Sequence, residues 1–212
     1  MTSPLRVLLI DDDPDDRALA LHELRQLSVD FQVQQVIEAE GLAQVLEAGG
    51  FDLIITDYYL HWANGLEIVR LAKARYPDCP VIMFTGSGSE EIVVEAMKAG
   101  VDDYVIKSSK RARRLSAAIR SVLEQARQRR AAKEAETRYR SLFDGVPVGL
   151  YRLAADGQLL DANPALVEML GYPDREALLA VNRADWYVRA EDGQRWQALI
   201  EREGVVRHFE VP

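Results

Sequence analysis

The stretch Phe51-Asp52-Leu53-Ile54-Ile55-Thr56-Asp57 decides the fold, because a short apolar run ends there on a carboxylate. The apolar residues Leu53–Ile55 predict a buried strand, and Asp57 follows at its carboxyl end. In an open parallel α/β sheet, ligands bind in the crevice outside the carboxyl ends of the strands. Asp57 is therefore the first candidate for a functional residue.

Three other apolar runs end on polar residues in the same way. They are Val7–Ile10 before Asp11 and Asp12, Val81–Phe84 before Thr85, and Tyr104–Ile106 before Lys107. Because the carboxyl ends of parallel strands share one edge of a sheet, we expect these side chains to form one site. Carboxylates, a hydroxyl and an ammonium group suit a hard cation and a phosphoryl group.

The chemistry of phosphoryl transfer suggests a role for each of these residues. Transfer to a carboxylate needs an in-line nucleophile and neutralisation of the charge on the phosphoryl oxygens. We expect Asp57 to be the nucleophile, and Asp11 and Asp12 to hold Mg²⁺. Lys107 and Thr85 are expected to contact phosphoryl oxygens.

Strand and helix patterns alternate along the first half of the chain. The strand patterns predict a doubly wound, five-stranded parallel sheet with helices on both faces. The helices are indicated by apolar residues at spacings of three and four between the strands. The five predicted strands are Leu5–Ile10, Phe31–Ile37, Leu53–Thr56, Val81–Phe84 and Tyr104–Ile106.

Residues 108–140 predict one long helix, since they contain neither proline nor glycine and carry 11 basic and 3 acidic residues. An apolar stripe runs along the first half of this helix and weakens beyond Ala126. Two interpretations stay open, a solvated connecting helix and a parallel dimeric coiled coil. The stripe consists of Leu115, Ile119, Val122 and Ala126.

Residues 141–212 predict a small α+β module. A hairpin is expected around Ala155-Asp156-Gly157, and Asn163-Pro164 is typical of the start of a helix. A further helix is predicted over 194–203 and a strand over 205–211. We expect the module to lack its end, as in a truncated product or a fragment of a longer protein.

Composition limits the function classes. The chain has no apolar stretch of the roughly 18–20 residues that span a bilayer, and it has one cysteine, Cys79. Because its first residues lack a long apolar run, we expect no secretory leader. We therefore expect a cytoplasmic protein. Three histidines, and no glycine-rich nucleotide loop or Gly-x-Ser-x-Gly elbow, favour a regulatory protein over an enzyme.

Residues 1–122 closely resemble the receiver domains of two-component response regulators, which have a flavodoxin-like fold. The resemblance implies that Asp57 accepts a phosphoryl group from a histidine kinase or a phosphotransfer protein. It also implies that Asp11, Asp12, Asp57 and the backbone carbonyl of Tyr59 bind Mg²⁺. Thr85 and Tyr104 would be the switch pair, and Lys107 the phosphate-contacting lysine. The matching motifs are Leu9-Ile10-Asp11-Asp12-Asp13-Pro14, Asp52–Asp57, Asn64-Gly65-Leu66-Glu67, Val81–Gly86, Ala96–Gly100 and Asp102–Lys107.

Two features depart from that family. Ser108 follows Lys107 where the family has a cis proline, and we expect a trans bond because a cis bond before serine costs about 2.5–4 kcal/mol. After Asp57 the family commonly has Met-Pro, where this chain has Leu60-His61-Trp62. The bulky pair His61 and Trp62 would gate access of a kinase or simply pack, and we favour packing. The acids Asp13, Asp15 and Asp16 around Pro14 suit the first turn of a helix, where carboxylates favour the positive end of the dipole.

Residues 141–212 resemble the N-terminal part of a PAS sensor domain. PAS domains hold haem, flavin, metabolites or no ligand. Nothing here marks a ligand, since the segment has no cysteine and one histidine, His208. We favour a PAS fold used for protein contacts. The motifs that carry the resemblance are Tyr139–Asp144, Pro147-Val148-Gly149-Leu150-Tyr151, Asp156–Ala165 and Met169-Leu170-Gly171-Tyr172.

The leading hypothesis is thus a response regulator that is phosphorylated on Asp57 and relays the change through the helix at 108–140 to the PAS module and a downstream output. We also expect a homodimer, through that helix or a receiver face, and no contact with membranes or nucleic acids. The alternatives are a phosphate-independent dimerisation or sensor scaffold, and the regulatory part of a diguanylate cyclase or hybrid histidine kinase.

Overall fold

The computed structural model describes residues 3–86, 88–107, 113–154, 158–181, 189–203 and 206. The chain divides into two compact units, Met1–Lys133 and Glu134–Pro212. The first unit holds the strands β1 (Leu5–Ile10), β2 (Phe31–Val36), β3 (Leu53–Thr56), β4 (Tyr59–Leu60), β5 (Ala63–Asn64), β6 (Val81–Thr85) and β7 (Asp103–Ile106). It also holds the helices α1 (Pro14–Arg25), α2 (Ala39–Ala48), α3 (Gly65–Arg75), α4 (Glu90–Ala99) and the first part of α5 (Arg113–Gly145).

The central sheet of the first unit has five strands in the order β2-β1-β3-β6-β7. All four pairings are parallel, which confirms the predicted sheet. The small hairpin β4–β5 is antiparallel and lies between β3 and α3. Each of its strands has two residues, too few to show the alternation by which a strand is recognised in a sequence.

Successive residues of the central strand β3 pack into different cores. Ile54 packs with residues of α2, α3 and α4, whereas Leu53 and Ile55 pack with residues of α1 and α5. Because helices cover both faces, all four residues of β3 are buried, and the strand is a continuous apolar run. The sheet is therefore doubly wound.

Helix α5 is longer than the predicted helix at 108–140 and continues to Gly145. Its first part packs on the sheet through Leu115, Ile119 and Val122, three residues of the predicted stripe. Near its end, Tyr139 stacks on Phe143 with ring centroids 5.3 Å apart, an i,i+4 pair that favours the helix beyond Arg140.

The second unit contains the end of α5, the hairpin β8 (Tyr151–Leu153) and β9 (Leu159–Ala162), and the helices α6 (Pro164–Leu170), α7 (Arg175–Leu179) and α8 (Ala190–Glu203). Asn163 caps α6 as predicted, by accepting a hydrogen bond from the Leu166 amide. Its buried amide group also donates to the carbonyls of Phe143 and Val148, at 3.0 and 2.8 Å. Asn163 thus links α5, the hairpin and α6 within this unit.

Some sequence expectations fall outside the described residues. These are the peptide bond between Lys107 and Ser108, the turn at 155–157, His208, and the strand at 205–211 apart from Val206. Among the helices that the structure describes, none is both long enough and apolar enough to cross a lipid bilayer.

Candidate functional site

Lys107 lies at the centre of the site, immediately after β7. Its Nζ donates to Asp11 Oδ2 at 2.8 Å and to Asp16 Oδ2 and Asp57 Oδ2, each at 2.7 Å. The lysine side chain is only 4% exposed. Burial alone would lower the pKa of Lys107, but its hydrogen bonds to the three carboxylates raise that pKa above its ordinary value. The lysine therefore stays charged.

Three carboxylates surround one ammonium group, so the charges of the cluster do not balance. Oxygens of Asp11, Asp16 and Asp57 lie within 4.8 Å of one another. Burial raises the pKa of Asp11 above its ordinary value, and the hydrogen bond from Lys107 offsets this only in part. The excess negative charge and the oxygen donors suit a hard divalent cation such as Mg²⁺.

Asp57 is nearly buried and is fixed by its surroundings. Its Oδ1 accepts hydrogen bonds from the amides of Tyr58 and Tyr59, at 2.5 and 3.4 Å, and its Oδ2 accepts from Lys107. Gly65, the first residue of α3, passes so close that an added Cβ would lie 2.0 Å from the Asp57 carbonyl oxygen. Only glycine at position 65 allows this placement of Asp57 beneath α3.

Asp12 lies apart from this cluster, although the sequence predicts it as a partner of Asp11. Its Oδ2 accepts from the His61 amide at 2.5 Å and contacts the ring Nδ1 of His61 at 2.6 Å. Burial raises the pKa of Asp12, but the hydrogen bonds from His61 outweigh it and hold that pKa below its ordinary value. Asp12 is thus an ionised carboxylate beside the site.

Asp16 is the site residue that sequence reasoning missed, because its place in the first turn of α1 has a sufficient explanation in the helix dipole. Asp13 caps this helix by accepting from the amides of Asp15 and Asp16. Side chains in a helix lean towards its N-terminus, and this direction carries Asp16 back to Lys107. This side-chain direction was the signal from which the position of Asp16 could have been predicted.

Thr85 ends β6, and Tyr104 lies on the neighbouring strand β7, two residues before its end. The Thr85 hydroxyl is buried and has no hydrogen-bond partner among the described residues. The Tyr104 ring is half-buried beside Gly88, where an added Cβ would lie 2.8 Å from the phenol oxygen. Burial, followed by the negative charge of Asp57, raises the pKa of Tyr104. Tyr104 thus lies within electrostatic reach of Asp57.

The side chain of Tyr59 is exposed, and its backbone lies at the site. It begins β4, where it pairs with Asn64 of β5, and its amide contacts Asp57. The role of its carbonyl as a metal ligand stays a prediction.

The neighbouring residues His61 and Trp62 differ in burial. Trp62 packs on the core and donates to the Ile37 carbonyl at 2.9 Å, whereas the His61 side chain is 91% exposed. The packing interpretation is right for Trp62 and wrong for His61.

Known proteins match both units. The family model for the response regulator receiver domain matches residues 7–120, and a PAS domain model matches residues 137–203. A CheY homologue of Campylobacter jejuni is 30% identical over 105 residues, which cover 49% of this chain and 81% of the homologue. PilR of Pseudomonas aeruginosa is 35% identical over 103 residues, 48% of this chain; the match spans only 22% of PilR.

Solved structures of receivers superpose on the first unit. A CheY-like receiver domain protein from Methanospirillum hungatei matches with a TM-score of 0.53 and 30% identity, over 60% of this chain and 99% of its own. The BeF3-activated DrrB receiver domain matches with a TM-score of 0.51 and 27% identity, over 57% and 99%. With the receiver model matching more than half of its length, the chain belongs to the response regulator receiver family of two-component signalling, and it carries a PAS domain after the receiver.

Proposed function

We propose that Asp57 accepts a phosphoryl group from a histidine kinase or a phosphotransfer protein, with Mg²⁺ bound beside it. The observation that carries the proposal is the contact between Lys107 Nζ and Asp57 Oδ2 at 2.7 Å, with Asp11 on the same ammonium group. A nucleophilic carboxylate, a fixed positive charge and a second acid at one sheet edge are what phosphoryl transfer requires.

The residues of the chain supply binding and orientation for this reaction. An oxygen of Asp57 forms a bond to phosphorus, and the bond from phosphorus to the donor atom breaks, so that the donor leaves with the electron pair. Lys107 then contacts a phosphoryl oxygen instead of the free carboxylate. The buried Thr85 hydroxyl, which has no partner among the described residues, can donate to a second oxygen.

Asp11, Asp12, Asp57 and the Tyr59 carbonyl are the proposed ligands of Mg²⁺, and the position of Asp16 in the cluster makes it a further oxygen donor. Bound Mg²⁺ would neutralise charge on the phosphoryl oxygens. The fit rests on the oxygen-only donor set and on the excess of carboxylates over cations around Lys107.

Removal of the metal tests the proposal. We expect acetyl phosphate to add one phosphoryl group per chain in Mg²⁺, detected by intact-protein mass spectrometry. In excess EDTA the initial rate should fall at least about tenfold, because tenfold corresponds to only about 1.4 kcal/mol of lost charge stabilisation. Equal rates in Mg²⁺ and EDTA would contradict the proposal.

Helix α5 is the proposed relay. On the receiver side, its Arg129 contacts Asp102 at 3.0 Å and its Lys133 contacts Asp78 at 2.8 Å. Asp102 is itself held by Lys73 and sits just before β7, the strand that leads to Tyr104 and Lys107. A change at the phosphorylated site that moves β7 would therefore act on α5 directly.

The end of α5 also has specific contacts, with residues of the PAS unit. Arg140 lies 3.9 Å from the buried carboxylate of Asp161, and the Phe143 carbonyl accepts from Asn163. One continuous helix thus has specific contacts with residues of each unit. In this role the chain is a regulatory acceptor and not an enzyme.

We propose homodimerisation through α5 and the adjoining PAS surface. All residues of α5 from Arg127 to Tyr139 are exposed, and large apolar side chains are exposed beside them, among them Leu142 at 66% and Val148 at 60%. Light scattering should give the mass of a dimer, and Leu142→Arg should shift it towards the monomer while the circular dichroism spectrum keeps the wild-type helix content. A monomeric wild-type protein would contradict this arrangement.

We place the protein in the cytoplasm, in keeping with its single buried cysteine, and cell fractionation tests this location.

A further inference from the structure

His61 makes a contact that neither packing nor the proposed reaction explains. It occupies the turn of the β4–β5 hairpin, and its side chain is 91% exposed. The next residue, Trp62, anchors the turn through its contact with the Ile37 carbonyl. The exposed ring is therefore held over the loop between β1 and α1, which contains Asp12.

Both hydrogen-bonding groups of His61 in this region meet the same oxygen. The amide nitrogen lies 2.5 Å and ring Nδ1 lies 2.6 Å from Asp12 Oδ2. Because an ionised carboxylate only accepts hydrogen bonds, the ring nitrogen is a donor here. Each carboxylate oxygen offers about two lone-pair sites, so the two donors fill the acceptor capacity of Oδ2.

Lys107 and His61 contact different carboxylates of the site. The ammonium group of Lys107 contacts the carboxylates of Asp11, Asp16 and Asp57, while the ring of His61 contacts the carboxylate of Asp12. Each proposed metal-binding carboxylate thus has a donor from the protein. The amide of His61 is fixed by the hairpin, but its exposed ring can leave Asp12 by rotation of its side chain into solvent.

We infer that His61 is a positioning residue that weakens metal binding: its ring holds Asp12 Oδ2, and Mg²⁺ has to displace the ring to use that oxygen. The inference rests on the proposed function, because it concerns the affinity of the same site. It gives the hairpin turn control over how much Mg²⁺ the phosphoacceptor site requires.

Calorimetric titration of the 212-residue protein with MgCl2 tests the inference. His61→Ala should lower the dissociation constant for Mg²⁺ by about two- to fivefold, the size of an exposed charge-assisted contact. His61→Asn should restore the wild-type constant, because its amide nitrogen takes the place of Nδ1. His61→Gln, whose donor lies farther out, should behave as His61→Ala does.

A matched control is His22→Ala, which removes an exposed histidine from α1 and should leave the constant unchanged. An unchanged or higher constant in His61→Ala would overturn the inference, and so would a failure of His61→Asn to differ from His61→Ala. If the wild-type protein takes up Mg²⁺ and a phosphoryl group but the variants do not differ, only the inference fails. If the wild-type protein binds no Mg²⁺, both fail.

Discussion

Replacing Lys107 with methionine is expected to lower the free energy of unfolding by about 3–5 kcal/mol in EDTA, the usual cost of removing one partner of a buried ion pair. Methionine has a similar length but no charge. It would leave the carboxylates of Asp11, Asp16 and Asp57 close together, with no cationic side chain among the described residues paired with them. Urea denaturation followed by circular dichroism measures the loss.

Two conditions should reverse part of this loss. Mg²⁺ should stabilise Lys107→Met more than the wild-type protein, because the variant lacks the internal cation. Lower pH should help as well: burial already raises the pKa of Asp11, and a raised pKa means that the ionised carboxylate destabilises the fold until protonation relieves it as the pH falls. Lys98→Met, at an exposed position of α4, is the control and should stay within about 0.5 kcal/mol of the wild-type protein. An equally small effect of Lys107→Met would show that the ammonium group is not what holds the carboxylates together.

The sheet could be predicted because its strands are buried on both faces. Ile54 and Ile55 pack into different cores, so the apolar run carries no alternation and ends sharply at Asp57. A parallel sheet then places Asp11, Asp57, Thr85 and Lys107 at one edge, which is a property of strand direction alone. These residues were accessible to sequence reasoning for that reason.

Contacts that depend on loop geometry were not accessible in this way. The contact between Asp12 and His61 joins residues 49 positions apart and needs a hairpin with strands of two residues. The inclusion of Asp16 depends on the direction of a side chain in the first turn of α1. Neither feature produces a periodic pattern, so the sequence could bring Asp11, Asp57 and Lys107 together but not Asp16, and the roles of these residues stay predictions.

Asp57→Asn is expected to reduce phosphoryl incorporation from acetyl phosphate at least about a thousandfold, the scale on which loss of a nucleophile slows an enzyme. The amide of asparagine delocalises its nitrogen lone pair and carries no negative charge, so it does not attack phosphorus. Its size is unchanged, and Lys107 keeps its contacts with Asp11 and Asp16. The fold should therefore persist.

The same substitution should not destabilise the protein, and this separates chemistry from folding. Three carboxylates surround Lys107, and neutralising one of them removes repulsion between the other two and Asp57. We expect the melting temperature of Asp57→Asn in EDTA to equal or exceed that of the wild-type protein. Asp15→Asn, an exposed acid in the same first turn of α1, is the matched control and should be phosphorylated at the wild-type rate. Labelling of Asp57→Asn at the wild-type rate would place the acceptor elsewhere, and the contact between Lys107 and Asp57 would then be an ion pair of the fold alone.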